Sequence, residues 1–376
     1  MRRIDGLTVL VIALAMALHV RFCLLDDRPP SDLGHYYNAF RNTLLWWQQH
    51  GELNPAIVDT PYSLALAALG AVIPPTAAFM EVVDGGWLLV MLVGTALVAR
   101  SVAGPVAGAV AALAVAGFPQ THVLARTHWI HHPEAAALIG AFAVWLVAPA
   151  LRSWIQALVL GVLLFFGETI RQTGIPFGVP FGLVVLGGAW RHGARATLLP
   201  VLAAVLGGLA WHGPSLVRYV SNKAASAAGY AQSVGTPWYS IVENLGPPVF
   251  VWAAVLAVFA LGASRRRDLR ALVVGMCLVW IAGGVVAVAV FHVGPDNFPI
   301  AGVALAVLAG VGAAALPLPP AAMLLVGAVA VLTVQVPPLL SYEAVVRLPP
   351  VLRTWANPGP INYMRIYWHP IQPEMV

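Results

Sequence analysis

Acidic and hydroxyl-bearing residues gather in the first polar segment of this chain, directly after an N-terminal apolar run. The segment reads Asp26-Asp27-Arg28-Pro29-Pro30-Ser31-Asp32-Leu33-Gly34-His35-Tyr36-Tyr37. Acids at the mouth of a lipid-embedded helix bundle cost free energy, so their presence predicts a functional site. Asp32 also lies just ahead of a stretch with helical spacing. It therefore suits two roles, a catalytic carboxylate or an ordinary N-cap of that helix.

A second polar segment carries four histidines, an arginine and a glutamate beside another apolar run. It reads His122-Val123-Leu124-Ala125-Arg126-Thr127-His128-Trp129-Ile130-His131-His132-Pro133-Glu134. His128-x-x-His131-His132 matches one histidine box of membrane di-iron enzymes, which need several such boxes, whereas the other histidines here are isolated. Three interpretations stay open: a metal pair, a solvated interfacial cluster, or part of a sugar or phosphate site. Glu134 follows Pro133 in a first helical turn, as a dipole-stabilised cap or a pre-positioned site carboxylate.

A third polar group lies inside an apolar stretch, where Glu168 and Arg171 are three residues apart. Such a pair forms either a mutually neutralised structural ion pair or part of a phosphate-binding site. An arginine at this depth can bind a lipid phosphate through two parallel hydrogen bonds.

Composition indicates what must position these groups. Of 376 residues, 60% are hydrophobic and only 9% are charged, whereas a soluble domain carries about 25% charged residues. The chain therefore cannot cover a water-facing surface. Its net charge of +5 comes from arginines scattered through loop-like segments, which does not indicate nucleic-acid binding, and Lys223 as the sole lysine suggests a GC-rich bacterial genome. Cys23 and Cys277 lie in separate apolar runs, so no disulfide is expected.

Apolar runs long enough to cross about 30 Å of hydrocarbon predict an all-α integral membrane bundle of about eleven transmembrane helices. An amphipathic helix over His35–His50 and a short one over Leu64–Ile73 are expected to be interfacial, within a first outer loop over residues 26–85. The predicted spans are Gly6–Leu25, Gly86–Arg100, Val106–Gln120, Glu134–Ala150, Trp154–Ile170, Thr173–Trp190, Ala196–Gly213, Pro247–Ala263, Arg270–Phe291, Pro299–Leu316 and Pro320–Val336.

Basic residues in short connections predict the orientation. They fall on alternate connections, which should all lie on the cytoplasmic side; they are Arg2, Arg3, Arg100, Arg152, Arg191, Arg195, Arg265, Arg266, Arg267 and Arg270. Gly6–Leu25 is interpreted as an uncleaved anchor. We expect a bacterial cytoplasmic membrane protein whose residues 1–336 form the membrane domain and whose residues 337–376 form an outer extension. The polar segments then face the periplasm.

Short motifs in a fixed order resemble the glycosyltransferase C superfamily, most closely its bacterial branch related to protein mannosyltransferases and lipid A aminoarabinose transferase. The motifs are Asp32 with Tyr36, Thr60–Leu66, Ala99-Arg100, Arg126 with Pro133-Glu134, Thr169–Gly174 and Asn297–Gly302. The chain departs from the pattern in three ways. Glu134 replaces an aspartate, His292 and Asp296 stand where a basic residue is expected, and we do not expect the large soluble C-terminal domain that some members carry.

This resemblance implies transfer of a sugar from a polyprenyl-phosphate donor to a lipid, glycan or protein acceptor, with inversion at the anomeric carbon. It implies Asp32 as the base, with Glu134 orienting acceptor or sugar, or holding a divalent metal if one is used. Arg126 and Arg171 would stabilise the phosphate charge. No cofactor is otherwise expected. Further substrate-binding residues are predicted in the two outer segments: Asp27, His35, Tyr36, His131 and His132.

Two other protein classes fit part of the pattern. A lipid or glycan transporter, or flippase, would also have many spans and broken helices, but its polar groups belong near the bilayer midplane. A histidine-dependent membrane oxidoreductase would need further histidine boxes. Transport of a labelled lipid without a covalent product would favour the first class, and two irons per chain would favour the second.

Overall fold

Helices form nearly all of the chain that the structure, a computed structural model, describes. The described residues are 5–24, 33–52, 60–73, 77–126, 131–147, 149–194, 197–230, 241–242, 245–263, 269–289 and 298–335, and no strand occurs among them. The helices are α1 (Gly6–Leu24), α2 (Leu33–His50), α3 (Pro61–Gly70), α4 (Ala77–Ala103), α5 (Pro105–Gly117), α6 (Pro119–Arg126), α7 (His131–Val147), α8 (Trp154–Thr169), α9 (Ile175–Arg191), α10 (Leu199–Tyr230), α11 (Pro247–Ala263), α12 (Leu269–Ala289), α13 (Pro299–Ala313) and α14 (Pro320–Gln335). The predicted all-α class is thereby confirmed.

Proline and hydroxyl residues fix many helix starts. Proline is favoured at the first helical position because its missing N–H has no partner there anyway, and α3, α5, α6, α11, α13 and α14 all begin with one. Thr60 caps α3 by accepting a hydrogen bond from the Ser63 amide at 3.1 Å. Gly104 adopts a φ of +90° between α4 and α5, a conformation that favours glycine.

Several helices differ from their predicted bounds, among them α4, α5 and α10. Helix α4 begins at Ala77, nine residues before the predicted Gly86, because Asp84 is buried inside the helix rather than lying in a loop. The predicted span Val106–Gln120 ends at Gly117, and Pro119 starts the separate helix α6. Helix α10 continues through Pro214 to Tyr230, into the predicted outer loop.

Membrane-type helices recur through the described residues. Two of them, Phe79–Ala103 and Leu269–Ala287, are long and apolar enough to cross a bilayer, and shorter apolar helices of 10–17 residues accompany them. The structure is therefore that of an all-α protein with membrane-type helices. The number of eleven spans, and the interfacial position of α2 and α3, stay predictions.

The chain divides into two compact units. Unit 1 comprises residues 1–28, 95–123 and 222–376, and unit 2 comprises residues 29–94 and 124–221. At the centre of unit 1, α13 is buried from Ile300 to Ala313 and packs against α5, α11 and α12. Small residues permit close approach of such helices: a methyl group on Gly310 would lie 3.0 Å from the Ala111 side chain.

Polar contacts tie together one end of unit 1. Asp5 accepts hydrogen bonds from the Thr8 amide and forms an ion pair with Arg100 near the end of α4. The Arg270 guanidinium of α12 donates two hydrogen bonds, of 3.2 and 3.0 Å, to the Val102 carbonyl. The start of α1, the end of α4 and the start of α12 thus meet, as the alternating arginine pattern predicts.

Unit 2 stacks α7 against α8, and α8 against α9 and α3. One end of this stack is apolar and aromatic; it contains Tyr62, Leu66, Phe79, Met80 and Ile170. At the other end, the Thr197 hydroxyl donates to the Leu151 carbonyl, which joins the α7–α8 connection to the α9–α10 connection. The start of α7, the end of α8 and the start of α9 therefore lie at the end opposite to these two connections.

Candidate active site

Glu134 is held inside unit 2 by a residue from a different helix connection. It lies in the first turn of α7, and only 3% of its surface is exposed. Its Oε1 atom accepts a hydrogen bond of 2.8 Å from Thr173 Oγ1. A buried carboxylate is costly without such a partner. This tertiary contact fits a pre-positioned carboxylate better than a cap of its own helix.

Glycine lets the chain turn tightly next to this carboxylate. Residues Gln172–Gly174 form one turn of 3₁₀-helix between α8 and α9. A methyl group on Gly174 would collide with the Gly167 carbonyl and would lie 3.1 Å from Glu134 Oε1. The lack of a side chain at Gly174 therefore allows the turn to fold back onto α8 and to bring Thr173 against Glu134.

Arg171 adds a positive charge to this group. It precedes the turn in an extended backbone conformation, with φ of −146° and ψ of 154°, and its side chain is half-buried. Its charge acts electrostatically on the Glu134 carboxylate. Unit 2 thus gathers a carboxylate, a hydroxyl and a guanidinium, which together can hold a hydroxyl group and an oxyanion.

The alternative that Glu168 and Arg171 form an ion pair is not what the structure shows. Glu168 is fully buried, and within the described residues neither of its carboxylate oxygens has a hydrogen-bond partner. The cause is geometric, because α8 ends at Thr169 and the chain then leaves the helix. Arg171 consequently does not follow the helical spacing that would place it beside Glu168.

His131 and His132 are buried, with 2% and 1% of their surfaces exposed. The interpretation as a solvated interfacial cluster is therefore wrong for these two residues. Helix α7 starts at His131, before Pro133, so both side chains enter the helix packing of unit 2. They lie one turn or less from Glu134, and their part in substrate binding stays a proposal.

Several predicted site residues lie outside the described side chains. Asp27 and Asp32 lie outside the described residues altogether. His35 and Tyr36 lie on α2 and Arg126 ends α6, but only the backbone of these three residues is described. That Asp32 and Glu134 share one site, as their expected roles imply, therefore stays a prediction.

The sequence did not reveal the buried pair Asp84 and Tyr62. Asp84 is 2% exposed on α4 and acts electrostatically on the Tyr62 hydroxyl of α3. Burial, together with the Asp84 charge, raises the pKa of Tyr62 well above its usual value. In the sequence, Asp84 lies two residues before the predicted span Gly86–Arg100, and this position favours a loop rather than a buried site in a helix.

His122 belongs to the core of unit 1. It stacks on His19 with ring centroids 6.2 Å apart, and its Nε2 atom donates to the Ala116 carbonyl at 2.9 Å. Burial lowers the pKa of His122 to about 4, against the opposing effect of that hydrogen bond. This histidine is therefore neutral near pH 7 and serves the packing of its own unit.

A metal ion has no evident ligand set in the part of the chain that is described. No group of three or more histidine, cysteine, aspartate or glutamate side chains comes together there. Asp27 and Asp32, the acids of the first outer segment, lie outside this search. Whether a metal takes part therefore stays open.

Comparison with known proteins relates the fold to oligosaccharyltransferases. No protein-family model matches the chain, and no curated protein matches it in sequence. Among solved structures, it is similar to the oligosaccharyltransferase AglB from Archaeoglobus fulgidus in complex with an inhibitory peptide and a dolichol-phosphate. The identity is 14% over 80% of this chain and 50% of that one, with a TM-score of 0.56.

Two further structures of oligosaccharyltransferase from Archaeoglobus fulgidus give the same result. The apo form is 12% identical over 80% of this chain and 50% of that one, with a TM-score of 0.56. The complex with zinc and sulfate is 13% identical over 92% of this chain and 52% of that one, with a TM-score of 0.55. The chain spans about half the length of these structures. Its fold is therefore similar to that of these oligosaccharyltransferases over the part that they share.

Proposed function

We propose that this protein is a membrane glycosyltransferase that moves a sugar from a polyprenyl-phosphate donor to a lipid, glycan or protein acceptor. The observation that carries the proposal is the buried Glu134 carboxylate, held by Thr173 beside Arg171, in this fold. A similar structure was obtained with a dolichol-phosphate and an inhibitory peptide. A lipid-linked donor is consistent with a bundle of apolar helices, since grooves between such helices can hold a prenyl chain.

The reaction we propose is a single displacement at the anomeric carbon. An acceptor hydroxyl or amine attacks that carbon, the bond to the carrier phosphate oxygen breaks, and the phosphate leaves with the electron pair. A carboxylate removes the acceptor proton, and Asp32 is assigned this role. Attack from the side opposite to the leaving group inverts the configuration.

Glu134 is assigned to orient the acceptor or the sugar. Thr173 occupies Oε1, so Oε2 is the atom we assign to a substrate hydroxyl. Arg171, and Arg126 at the end of α6, would stabilise the negative charge that grows on the departing phosphate. Asp27, His35, Tyr36, His131 and His132 complete the proposed substrate site.

The place of action follows from the arginine pattern. The candidate site lies at the end of unit 2 opposite to the connections that carry Arg152 and Arg191. If those connections are cytoplasmic, the site faces the exterior. We therefore assign the protein to a bacterial cytoplasmic membrane, with transfer on the periplasmic side.

The test uses the purified full-length protein in lipid nanodiscs, with a radiolabelled polyprenyl-phosphate sugar and a membrane extract as the acceptor source. We expect a labelled covalent product from the wild type, and none from Asp32→Asn or Glu134→Gln at unchanged thermal stability. Glu52→Gln is the matched control, because Glu52 is exposed. Wild-type activity in Glu134→Gln would remove that residue from the mechanism.

A strain without the gene can be used to identify the acceptor and the sugar. Mass spectrometry of its envelope glycans and lipids should show one missing sugar, which returns with the wild-type gene and not with Glu134→Gln. Movement of the labelled lipid across the nanodisc or vesicle membrane without any covalent product would instead identify a transporter.

A further inference from the structure

Glu168 is a buried acid in a membrane-type helix of unit 2, and the candidate mechanism gives it no role. It is fully buried near the end of α8, and both of its carboxylate oxygens lack a hydrogen-bond partner among the described residues. Ionisable residues at such depth are rare, because an unpaired charge in an apolar interior is strongly unfavourable. The position therefore requires a neutralising ligand.

Two glycines on neighbouring helices enclose this carboxyl group. A methyl group on Gly178 of α9 would collide with Glu168 Cγ and lie 2.8 Å from Oε1. A methyl group on Gly208 of α10 would collide with Oε2 and lie 2.7 Å from the Glu168 Cβ atom. Because neither glycine has a side chain, the backbones of α9 and α10 pack directly against the Glu168 side chain. So close an approach excludes a neutralising side chain at either glycine position, and a proton is the smallest ligand that can neutralise the carboxyl group.

We infer that Glu168 is a proton-binding site inside unit 2. Its side chain is the neutral acid, and α9 and α10 pack directly against it. Among the described side chains, no titratable or charged group of the surrounding helices forms a hydrogen bond with Glu168 that could neutralise it in place of a proton. Helix α9 carries none before Arg191, and among the described side chains of α10 only His212 is titratable; its Nε2 donates to the Thr169 carbonyl at 2.9 Å. The remaining groups are Tyr62 on α3, which packs against α8, and four residues of the candidate site: Arg171, Glu134, His131 and His132.

The proton also has a consequence for the candidate active site. Three residues separate Glu168 from Arg171, and the next turn holds Thr173 against Glu134. Loss of the proton would place a charge between α8, α9 and α10, force their separation, and loosen the support of that turn. This consequence rests on the proposed function, whereas the proton site itself does not.

Infrared spectroscopy of the full-length protein in nanodiscs tests the site without reference to activity. A protonated carboxyl group has a C=O stretching band that is distinct from carboxylate bands and shifts in heavy water. We expect such a band at neutral pH in the wild type, and its loss in Glu168→Gln. Loss of a carboxylate band instead, with the carboxylic acid region unchanged, would overturn the inference.

A second pair of variants covers the case that Glu168→Gln does not fold. Gly178→Ala presses on the Glu168 side chain and should shift the frequency of the same band. Gly187→Ala, on the same helix, adds a methyl group into open space and should leave the band unchanged. Identical spectra for Gly178→Ala and Gly187→Ala would show that the band does not arise from Glu168. Because no substrate is added, these outcomes are independent of whether sugar transfer is found.

Discussion

At the scale of single residues, Thr173 is the contact that a substitution can test most cleanly. Its hydroxyl donates to Glu134 Oε1 at 2.8 Å, and a hydrogen bond to a charged group contributes about 1.5–3 kcal/mol. If the bond positions Glu134 for transfer, Thr173→Val should lower kcat by roughly 10- to 100-fold. Thr173→Ser should recover most of the activity, because it keeps the hydroxyl.

Thr333 supplies the control for this substitution. Its hydroxyl donates to the Val329 carbonyl within its own helix, at 2.8 Å. Thr333→Val should therefore leave transfer unchanged. A purely structural role for Thr173 would appear as a loss of thermal stability in Thr173→Val with unchanged kcat in the protein that stays folded.

Asp5 gives a residue-scale prediction of pH dependence. Partial burial raises the pKa of Asp5, but hydrogen bonds from Thr8 and the charge of Arg100 outweigh that effect and hold the pKa below its usual value. Because the folded pKa is lowered, the stabilisation is present above the unfolded pKa and is lost as pH falls through the folded one. Asp5→Asn should remove this part of the acid sensitivity and keep the α1 cap, because asparagine caps a helix about as well as aspartate does.

Thermal unfolding in detergent, followed from neutral to acidic pH, measures this effect. The difference between wild type and Asp5→Asn should be greatest at neutral pH and shrink toward pH 3. Melting temperatures that stay parallel over the whole range would show that Asp5 contributes no linked proton.

At the scale of elements, the glycines around Glu168 predict an asymmetric pattern of compensation. All three atoms nearest to a methyl group on Gly178 belong to the Glu168 side chain beyond Cβ, whereas Glu168 Cβ itself lies 2.7 Å from a methyl group on Gly208. Overpacking typically costs about 1–3 kcal/mol. Adding Glu168→Ala should therefore relieve most of the destabilisation caused by Gly178→Ala, but only part of that caused by Gly208→Ala.

Double-mutant cycles of unfolding free energy in detergent measure both couplings. We expect the Gly178–Glu168 coupling energy to be larger than the Gly208–Glu168 one, at about 1–3 kcal/mol. Gly213→Ala on α10 is the control, because that methyl group meets open space. Additive behaviour in the Gly178 cycle would contradict the packing described for α8 and α9.

Element bounds were largely predictable because apolar runs and proline starts are local signals. Helix α8 covers Trp154–Thr169 against a predicted Trp154–Ile170. The failures occur where packing overrides the local signal, as at Asp84, which α4 buries, and Pro214, through which α10 continues. Glu134 was a predicted site residue, but its partner Thr173 lies 39 residues away. Such a contact depends on the packing of α7 against α8, which no short motif encodes.

At the scale of the whole molecule, arginine placement and helix packing predict the same sidedness. In unit 1, the ends that carry Asp5, Arg100 and Arg270 are tied together. In unit 2, the connections that carry Arg152 and Arg191 lie opposite to Glu134. If these short basic connections are cytoplasmic, as their arginines predict, the sugar-transfer site that we propose at Glu134 would draw its lipid-linked donor from the outer leaflet.

Cysteine labelling in intact cells tests this orientation directly. In a background with Cys23→Ala and Cys277→Ala, Glu52→Cys should react with a membrane-impermeant maleimide from outside. Arg152→Cys should react only after the cells are permeabilised, although both positions are exposed in the folded protein. The opposite pattern would place the candidate site in the cytoplasm. It would then require a donor on the inner leaflet, and the proposed periplasmic transfer would have to be abandoned even if the chemistry at Glu134 were retained.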